Sequence, residues 1–301
     1  MSFWCRKRLF AIVVFLCLFS FYSSFAQEYD KVEIKTVNAG DGVYVLFGAG
    51  GNIGACIAED GALLVDSQFA ELNEKVTAAI AAIKDVPIRY VLNTNWHSDH
   101  VSGNKPLAEG GAIIIAQTGT RTRMITEQYH PMFDTTVPSY PEAALPTMTF
   151  EKSITLDFNG GDIHAFHIEN AHSDSDIVIH FKNANVIHTG DIVFSAGFPF
   201  IDRPHGGSVE GMIKAADQII EMMDEQTKII PGHGPLLDRK GLKKCRDLIF
   251  IVRDRIKKQM EEGKNLEKIL ASDPTEGFEM KGPGVPAEMF VKIIYNELAG
   301  Q

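Results

Sequence analysis

The chain has 301 residues, 45% of them hydrophobic and 23% charged, with 29 basic against 39 acidic side chains and a net charge of −10. That length suits one large domain with a buried core. The acidic balance argues against nucleic acid and anionic membrane surfaces as partners.

The first 26 residues read as an export signal. Arg6, Lys7 and Arg8 form a basic start, Leu9 to Tyr22 is an apolar run too short for a comfortable membrane span, and Ser24 and Ala26 are small residues at the positions a signal peptidase reads. Cleavage after Ala26 predicts a periplasmic or secreted protein with no membrane partner; an uncleaved anchor is the alternative. Cys5 and Cys17 would leave with the signal. Cys56 and Cys245 lie within apolar patterns and are expected as two buried thiols rather than as ligands.

After the signal, Val32–Val37, Val43–Phe47, Ile53–Ala58 and Ala62–Val65 alternate with Gly-rich turns and predict an antiparallel meander. A helix is expected over Phe69–Ile83, with Phe69, Leu72, Val76, Ala79, Ile80 and Ile83 on one face. Strand Ile88–Leu92 then runs into "TNWHSDHVSGN", Thr94 to Asn104. A helix, strand Ala112–Ala116 and a polar helix Thr118–Gln128 follow. The Pro-rich stretch from Pro131 to Pro146 is expected to be an irregular functional loop. A second strand set covers Ile154–Phe158, Ile163–Ile168, Ile177–Phe181 and Val186–His188, then helix Val209–Met223 and strand Lys228–Ile230. From Gly241 the chain reads as helical. Two successive halves of alternating strands and helices predict a mixed α/β fold, a four-layer αββα sandwich over residues 27–240, with 241–301 as a helical extension packed on the same domain.

Histidines gather at strand ends. His97 and His100 share a turn with Asp99 between them, and such a turn aims side chains in different directions. Zinc takes imidazole nitrogen and carboxylate oxygen, and a catalytic site needs about three protein ligands and an open position. Further candidates are His172 in "ENAHSDSD", Asp191 in "HTGD" and His233 in "PGHG", each after a strand in a turn of small residues. His164, His167, His180 and His188 fall within strands and are expected to be packed or hydrogen-bonded. His130 and His205 are loop residues with no evident partner. Phe194, Phe198, Phe200 and His205 are candidates for a substrate pocket.

Taken in order, Asp66 in "GALLVDS", "TNWHSDHVSGN", His172, "HTGD" and "PGHG" resemble the motif set of the metallo-β-lactamase-fold hydrolases over residues 30–240. The common family form "THWHxDHxxGN" is matched at every fixed position except Asn95. The resemblance implies one metal on His97 and His172, with Asn95 in the place of the missing histidine. It implies a second metal on Asp99, His100 and His233, a bridging Asp191, and Asp66 supporting the motif loop without touching metal. The bridging carboxylate is similar to that of glyoxalase II-like enzymes. It implies a zinc hydrolase in which a metal-held hydroxide attacks an ester, thioester or lactone, with Asp99 moving the proton.

Because an amide is a weaker ligand than imidazole, one tight and one weak zinc are expected, with iron or manganese as alternatives. A β-lactamase with a single tight zinc and a non-catalytic metal-binding member stay open as other functions. A small-molecule substrate is expected; the oligomeric state is not readable.

Overall fold

The structure, a computed structural model, describes residues 29–300, so the expected signal over residues 1–26 lies outside the described residues. Two sheets carry the fold. The first has seven strands in the order β1 (Lys35–Gly40), β2 (Val43–Phe47), β3 (Ile53–Ala58), β4 (Gly61–Val65), β5 (Ile88–Asn93), β6 (Ile113–Gln117) and β9 (Met148–Phe150). Its first four strands are the antiparallel meander; β4, β5, β6 and β9 run parallel. The second sheet orders β10 (Ser153–Phe158), β11 (Gly161–His167), β12 (Ile177–Phe181), β13 (Val186–His188) and β14 (Lys228–Ile230), antiparallel except for the β13–β14 pair.

Alternation along the strands sorts the side chains into layers. Leu63 and Val65 of β4 meet Ile163, Ile177 and Ile179 of the second sheet in a core between the sheets. Ala62 and Leu64 point the other way, onto Leu72, Val76 and Ile80 beside helix α1 (Asn73–Ile83) and Leu107 of α3 (Asn104–Glu109), which follows the single turn α2 (Ser98–Val101). Val178, Ile187 and Ile229 cover the outer face of the second sheet together with α5 (Val209–Met222), α6 (Arg239–Glu261), α7 (Leu266–Ala271) and α8 (Ala287–Leu298). The result is an αββα sandwich. Strands buried on both faces read as continuous apolar runs, as "GALLV" does.

Several boundaries depart from the sequence expectation. The first strand starts later, at Lys35. The helix expected from Phe69 opens as a 3₁₀ turn over Ala70–Leu72 before α1 begins. Helix α4 (Thr118–Met124) stops short of Gln128, because the Gln128 side-chain amide turns back and donates to the carbonyls of Arg123 and Thr126 at 3.0 and 3.2 Å. Gln128–His130 instead forms β7, paired with β8 (Thr135–Val137) across a turn in which Asp134 has φ 47°. The Pro-rich stretch therefore contains half of a hairpin, contrary to the irregular loop expected. No helix among the described residues is long and apolar enough to cross a membrane. The thiols of Cys56, buried, and Cys245, half-buried, are both free.

Candidate metal centre

The C-terminal ends of β4, β5, β11, β13 and β14 lie at one edge of the sandwich and feed Asp66, the 94–104 motif, His172, Asp191 and His233 respectively. Backbone bonds join the two halves there. Asn52 donates from its N–H to Gly232 O at 2.7 Å and from its side-chain amide to Pro231 O and Gly234 O, both at 2.8 Å. Ile177 N–H donates to Thr94 O at 2.9 Å. The turns are tight enough to require glycine: a Cβ on Gly232 would sit 2.1 Å from Asp191 Oδ1, and one on Gly51 2.3 Å from the His100 ring.

Two groups of side chains converge. His97, His172 and Asp191 form one, and Asp99, His100 and His233 the other, with the ligand atoms of each within 4.8 Å of one another. Asp191 spans both: Oδ1 is 3.2 Å from His100 Nε2 and 3.4 Å from His233 Nε2, while Oδ2 is 3.6 Å from His172 Nε2. Asp99 Oδ2 lies 3.2 Å from His233 Nε2.

Three of these imidazoles are tied to a carboxylate through one ring nitrogen. His100 Nδ1 bonds Asp66 Oδ2 at 2.7 Å, His172 Nδ1 bonds Asp176 Oδ1 at 3.1 Å, and His97 Nε2 bonds Asp202 Oδ2 at 2.8 Å. An ionised carboxylate only accepts, so a proton sits on the tied nitrogen, and the other nitrogen is the one that offers a lone pair to an ion once its own proton has left. That is the arrangement that orients metal-binding histidines. Nε2 of His100, Nε2 of His172 and Oδ1 of Asp191 are buried and form no well-aligned hydrogen bond; their polar neighbours are other donors of the two groups, at 3.2 to 3.6 Å. Buried polar atoms are seldom left so, and a cation among them answers all three. The donor set of imidazole and carboxylate suits zinc, and also iron or manganese.

The charges support one another. Burial works to lower the pKa of His172, but the Asp176 carboxylate, with Asp191 and Asp202, outweighs it and lifts the imidazole to about 9. Burial would raise Asp191; the rings of His100, His233 and His172 hold it well below the usual carboxylate range. His100 is held well above the usual histidine value, against burial, by Asp191, Asp99 and Asp66.

Asp66 sits at φ 67° and belongs to neither ligand group: besides holding the His100 ring, its carboxylate accepts from Thr94 N–H and Thr94 Oγ1, both at 2.7 Å. Asn95 does not face the ion group with a free amide oxygen. Its Oδ1 accepts the His97 N–H at 2.8 Å and its Nδ2 leans on Thr94 Oγ1 at 3.4 Å, so the amide fixes the turn that presents His97.

His205 and His130, which had no evident partner in the sequence, both face Asp202. His205 Nδ1 bonds Asp202 Oδ1 at 2.7 Å, and His130 Nδ1 lies 4.0 Å from Asp202 Oδ2 while its ring stacks on Trp96. Burial would raise Asp202, and the hydrogen bonds from His205 and His97 outweigh it, keeping the carboxyl ionised well below its usual range. His97, His130 and Asp202 make a third convergent group that the sequence did not suggest.

The phenylalanines divide. Phe200 lies beside His97 and His172, with ring centroids at 5.8 and 6.1 Å, and Phe194 stacks on His233. Phe198 is core instead of pocket: it stacks on Phe290 of α8 at 5.3 Å and its carbonyl takes the Val285 N–H, which draws it into the outer layer. His188 is packed, bonding Asn52 O at 3.1 Å. His164 and His167 bond Thr155 Oγ1 and Asp174 O. A cleft of about 310 Å³ opens beside the two ligand groups, lined by Trp96, His97, Asp99, His130, Phe133 and Phe200 among others.

Residues 49–233 match the Metallo-beta-lactamase superfamily. A hydroxyacylglutathione hydrolase of Pelagibacter ubique (strain HTCC1062) is 31% identical over 160 residues, which is 50% of this chain and 53% of that protein. The chain thus spans about half the length of that curated relative. Among solved structures, a double mutant of the sec-alkyl sulfatase PisA1 superposes with a TM-score of 0.66 at 15% identity, over 91% of this chain and 51% of that one. The DIM-1 metallo-beta-lactamase gives 0.57 at 18% identity over 73% and 98%, and a metallo-beta-lactamase from Pontibacter korlensis 0.58 at 15% over 73% and 99%. At these identities the three share the fold.

Proposed function

The chain belongs to the metallo-beta-lactamase superfamily, and from that membership and the ligand geometry we propose that it is a zinc-dependent hydrolase of an ester, thioester or lactone. The observation that carries this is the convergence of three buried, unpartnered ligand atoms on His100, His172 and Asp191 at the mouth of a substrate-sized cleft. The relative named as a hydroxyacylglutathione hydrolase favours acyl transfer to water from a thioester.

His97, His172 and Asp191 would hold one ion, and Asp99, His100, His233 and Asp191 the other. A bound zinc supplies Lewis acidity and lowers the pKa of water toward about 7. The protein supplies the rest. Asp99 belongs to a ligand group and also lines the cleft, so its carboxylate is placed to orient a water against a substrate carbonyl, take up its proton and return it to the leaving group. Asp66, Asp176 and Asp202 hold three rings in one tautomer, and Trp96 and Phe200 exclude water from one side. The first group has three donors and the second four, which supports one loose and one tight zinc. The basic and apolar start of the chain supports export to the periplasm or medium, checked by N-terminal sequencing of the mature protein.

Elemental analysis with a panel of a thioester, a lactone and a carbapenem tests the function. We expect turnover of the thioester or the lactone, lost by at least 10³-fold in Asp99→Ala, an effect in the range seen when a positioned acid–base group is removed. Absence of turnover of every substrate by zinc-loaded protein defeats the proposal.

A further inference from the structure

The cleft beside the ligand groups has an uneven chemistry. Its floor is His97 and Asp99, and its wall is Trp96, Phe200, Phe133 and Val137. Phe133 sits in the turn of the β7–β8 hairpin, 45% exposed, with its ring 5.1 Å from Phe200, and Phe200 in turn lies against His97 and His172. With Trp96 and Val137 these two rings give the cleft an apolar side, with Ser98 and Thr135 in the same lining, and an apolar patch with polar neighbours suits an apolar ligand group. None of the residues lining the cleft is lysine or arginine. Arg123 and Arg203, in the segments flanking it, are engaged by Asp174 and Glu297. At the floor the Asp99 carboxylate is answered by the ion that the hydrolase reading places on it, which leaves the rest of the lining without a fixed cation.

A glutathionyl group carries two carboxylates and needs cations to meet them. Away from the ligand groups this cleft offers aromatic and aliphatic side chains and no lysine or arginine. We propose that the β7–β8 hairpin and Phe200 form an acyl-binding wall, and that the substrate is an uncharged ester, thioester or lactone whose acyl part is an apolar chain or ring. The proposal rests on the hydrolase reading above and names its substrate class. A cleft of about 310 Å³ lies at the small end of the roughly 300–1,000 Å³ of small-molecule sites. That suits a medium-length acyl chain or a phenyl-bearing acyl group. The scissile carbonyl then lies over His97 and Asp99, with the chain along Phe200 toward Phe133.

The test compares kcat/KM of zinc-loaded protein for 4-nitrophenyl acetate, butyrate and hexanoate and for an S-hydroxyacyl glutathione. Binding of an inert neutral amide, butyranilide, and of S-methylglutathione is followed by tryptophan fluorescence. Each methylene that the wall buries raises kcat/KM by about fourfold, which corresponds to about 0.8 kcal/mol. Hexanoate has four methylenes more than acetate; with two or three of them against the wall, we expect a rise of about 10- to 100-fold. Phe133→Ala and Phe200→Ala each cut the hexanoate-to-acetate ratio at least fivefold, while Phe250→Ala, on exposed α6 surface, leaves that ratio unchanged. Butyranilide is expected to bind at least tenfold more tightly than S-methylglutathione. Ester turnover with a flat chain-length series, or preference for the glutathionyl thioester, overturns the acyl wall and leaves the hydrolase standing. Preferential butyranilide binding, lost in Phe133→Ala, with no turnover of any ester supports the wall and overturns the hydrolase.

Discussion

Asp202 offers the sharpest perturbation of the centre because it touches His97 without belonging to either of the two expected ligand groups. It is fully buried and accepts from His97 Nε2 at 2.8 Å and from His205 Nδ1 at 2.7 Å. Asp202→Ala leaves two buried ring N–H groups without an acceptor. Each such loss costs about 1–3 kcal/mol, part of it offset by no longer burying a charge, so the metal-free protein should lose about 3 kcal/mol, in line with breaking one side of a buried pair. Losing the carboxylate that orients a metal-binding histidine weakens the metal about 10- to 100-fold. That loss should fall on the looser zinc alone, because the group of Asp99, His100 and His233 makes no contact with Asp202. Asp202→Asn keeps the shape and one acceptor while removing the charge, and should cost less than tenfold. Competition of stripped protein against a chromophoric chelator resolves the two zinc constants, and urea unfolding of the stripped protein gives the stability change. Loosening of both sites alike, or a looser site changed by less than about threefold in a folded Asp202→Ala variant, would refute the assignment.

Asn95→Ala removes the acceptor of the His97 N–H and should cost about 1 kcal/mol of stability, read from urea midpoints; an unchanged midpoint would mean that the amide does not fix the turn. His172, lifted to about 9 without metal, must lose its proton to bind an ion. Zinc affinity of the looser site should therefore climb steeply with pH up to about 9 and then level, measurable by chelator competition across that range. In the stripped protein the sign is the reverse: the raised pKa stabilises fully below the unfolded value near 6.5 and that stability fades as pH rises through about 9. His188 behaves oppositely. Burial pulls it to about 4, despite Asp66 and the Asn52 carbonyl, so its contribution is complete above about pH 6.5 and is lost as pH falls toward 4, on the order of 3 kcal/mol. Urea midpoints of wild type and His188→Gln at pH 7 and 5 should converge at the lower pH.

The strands and the clustering of motifs were legible because they are local. Ile53–Ala58 and Ile177–Phe181 announce themselves by composition and flanking turns, and a histidine after each strand end needs no knowledge of its neighbours. What escaped was decided by partners distant in sequence. Asp202 lies 105 positions from His97, and Asn52 179 from Pro231. Nothing near them marks their roles, although Asp176, four residues after His172, was within sight of a spacing argument. Helix α4 ended early because one glutamine side chain competed for its carbonyls, an outcome that propensity does not foresee. Phe198 was drawn from the site by α8, nearly a hundred residues later in the chain.

Neither ligand group can be completed by one half of the polypeptide. His97, Asp99 and His100 come from the first sheet's loops, and His172, Asp191 and His233 from the second's, so each group straddles a boundary that does not exist until both sheets have met. Before that meeting the early histidines hold an incomplete set of donors. Tight metal binding would therefore wait on the joining of the two sheets, and a bound ion would report that the two halves have found each other.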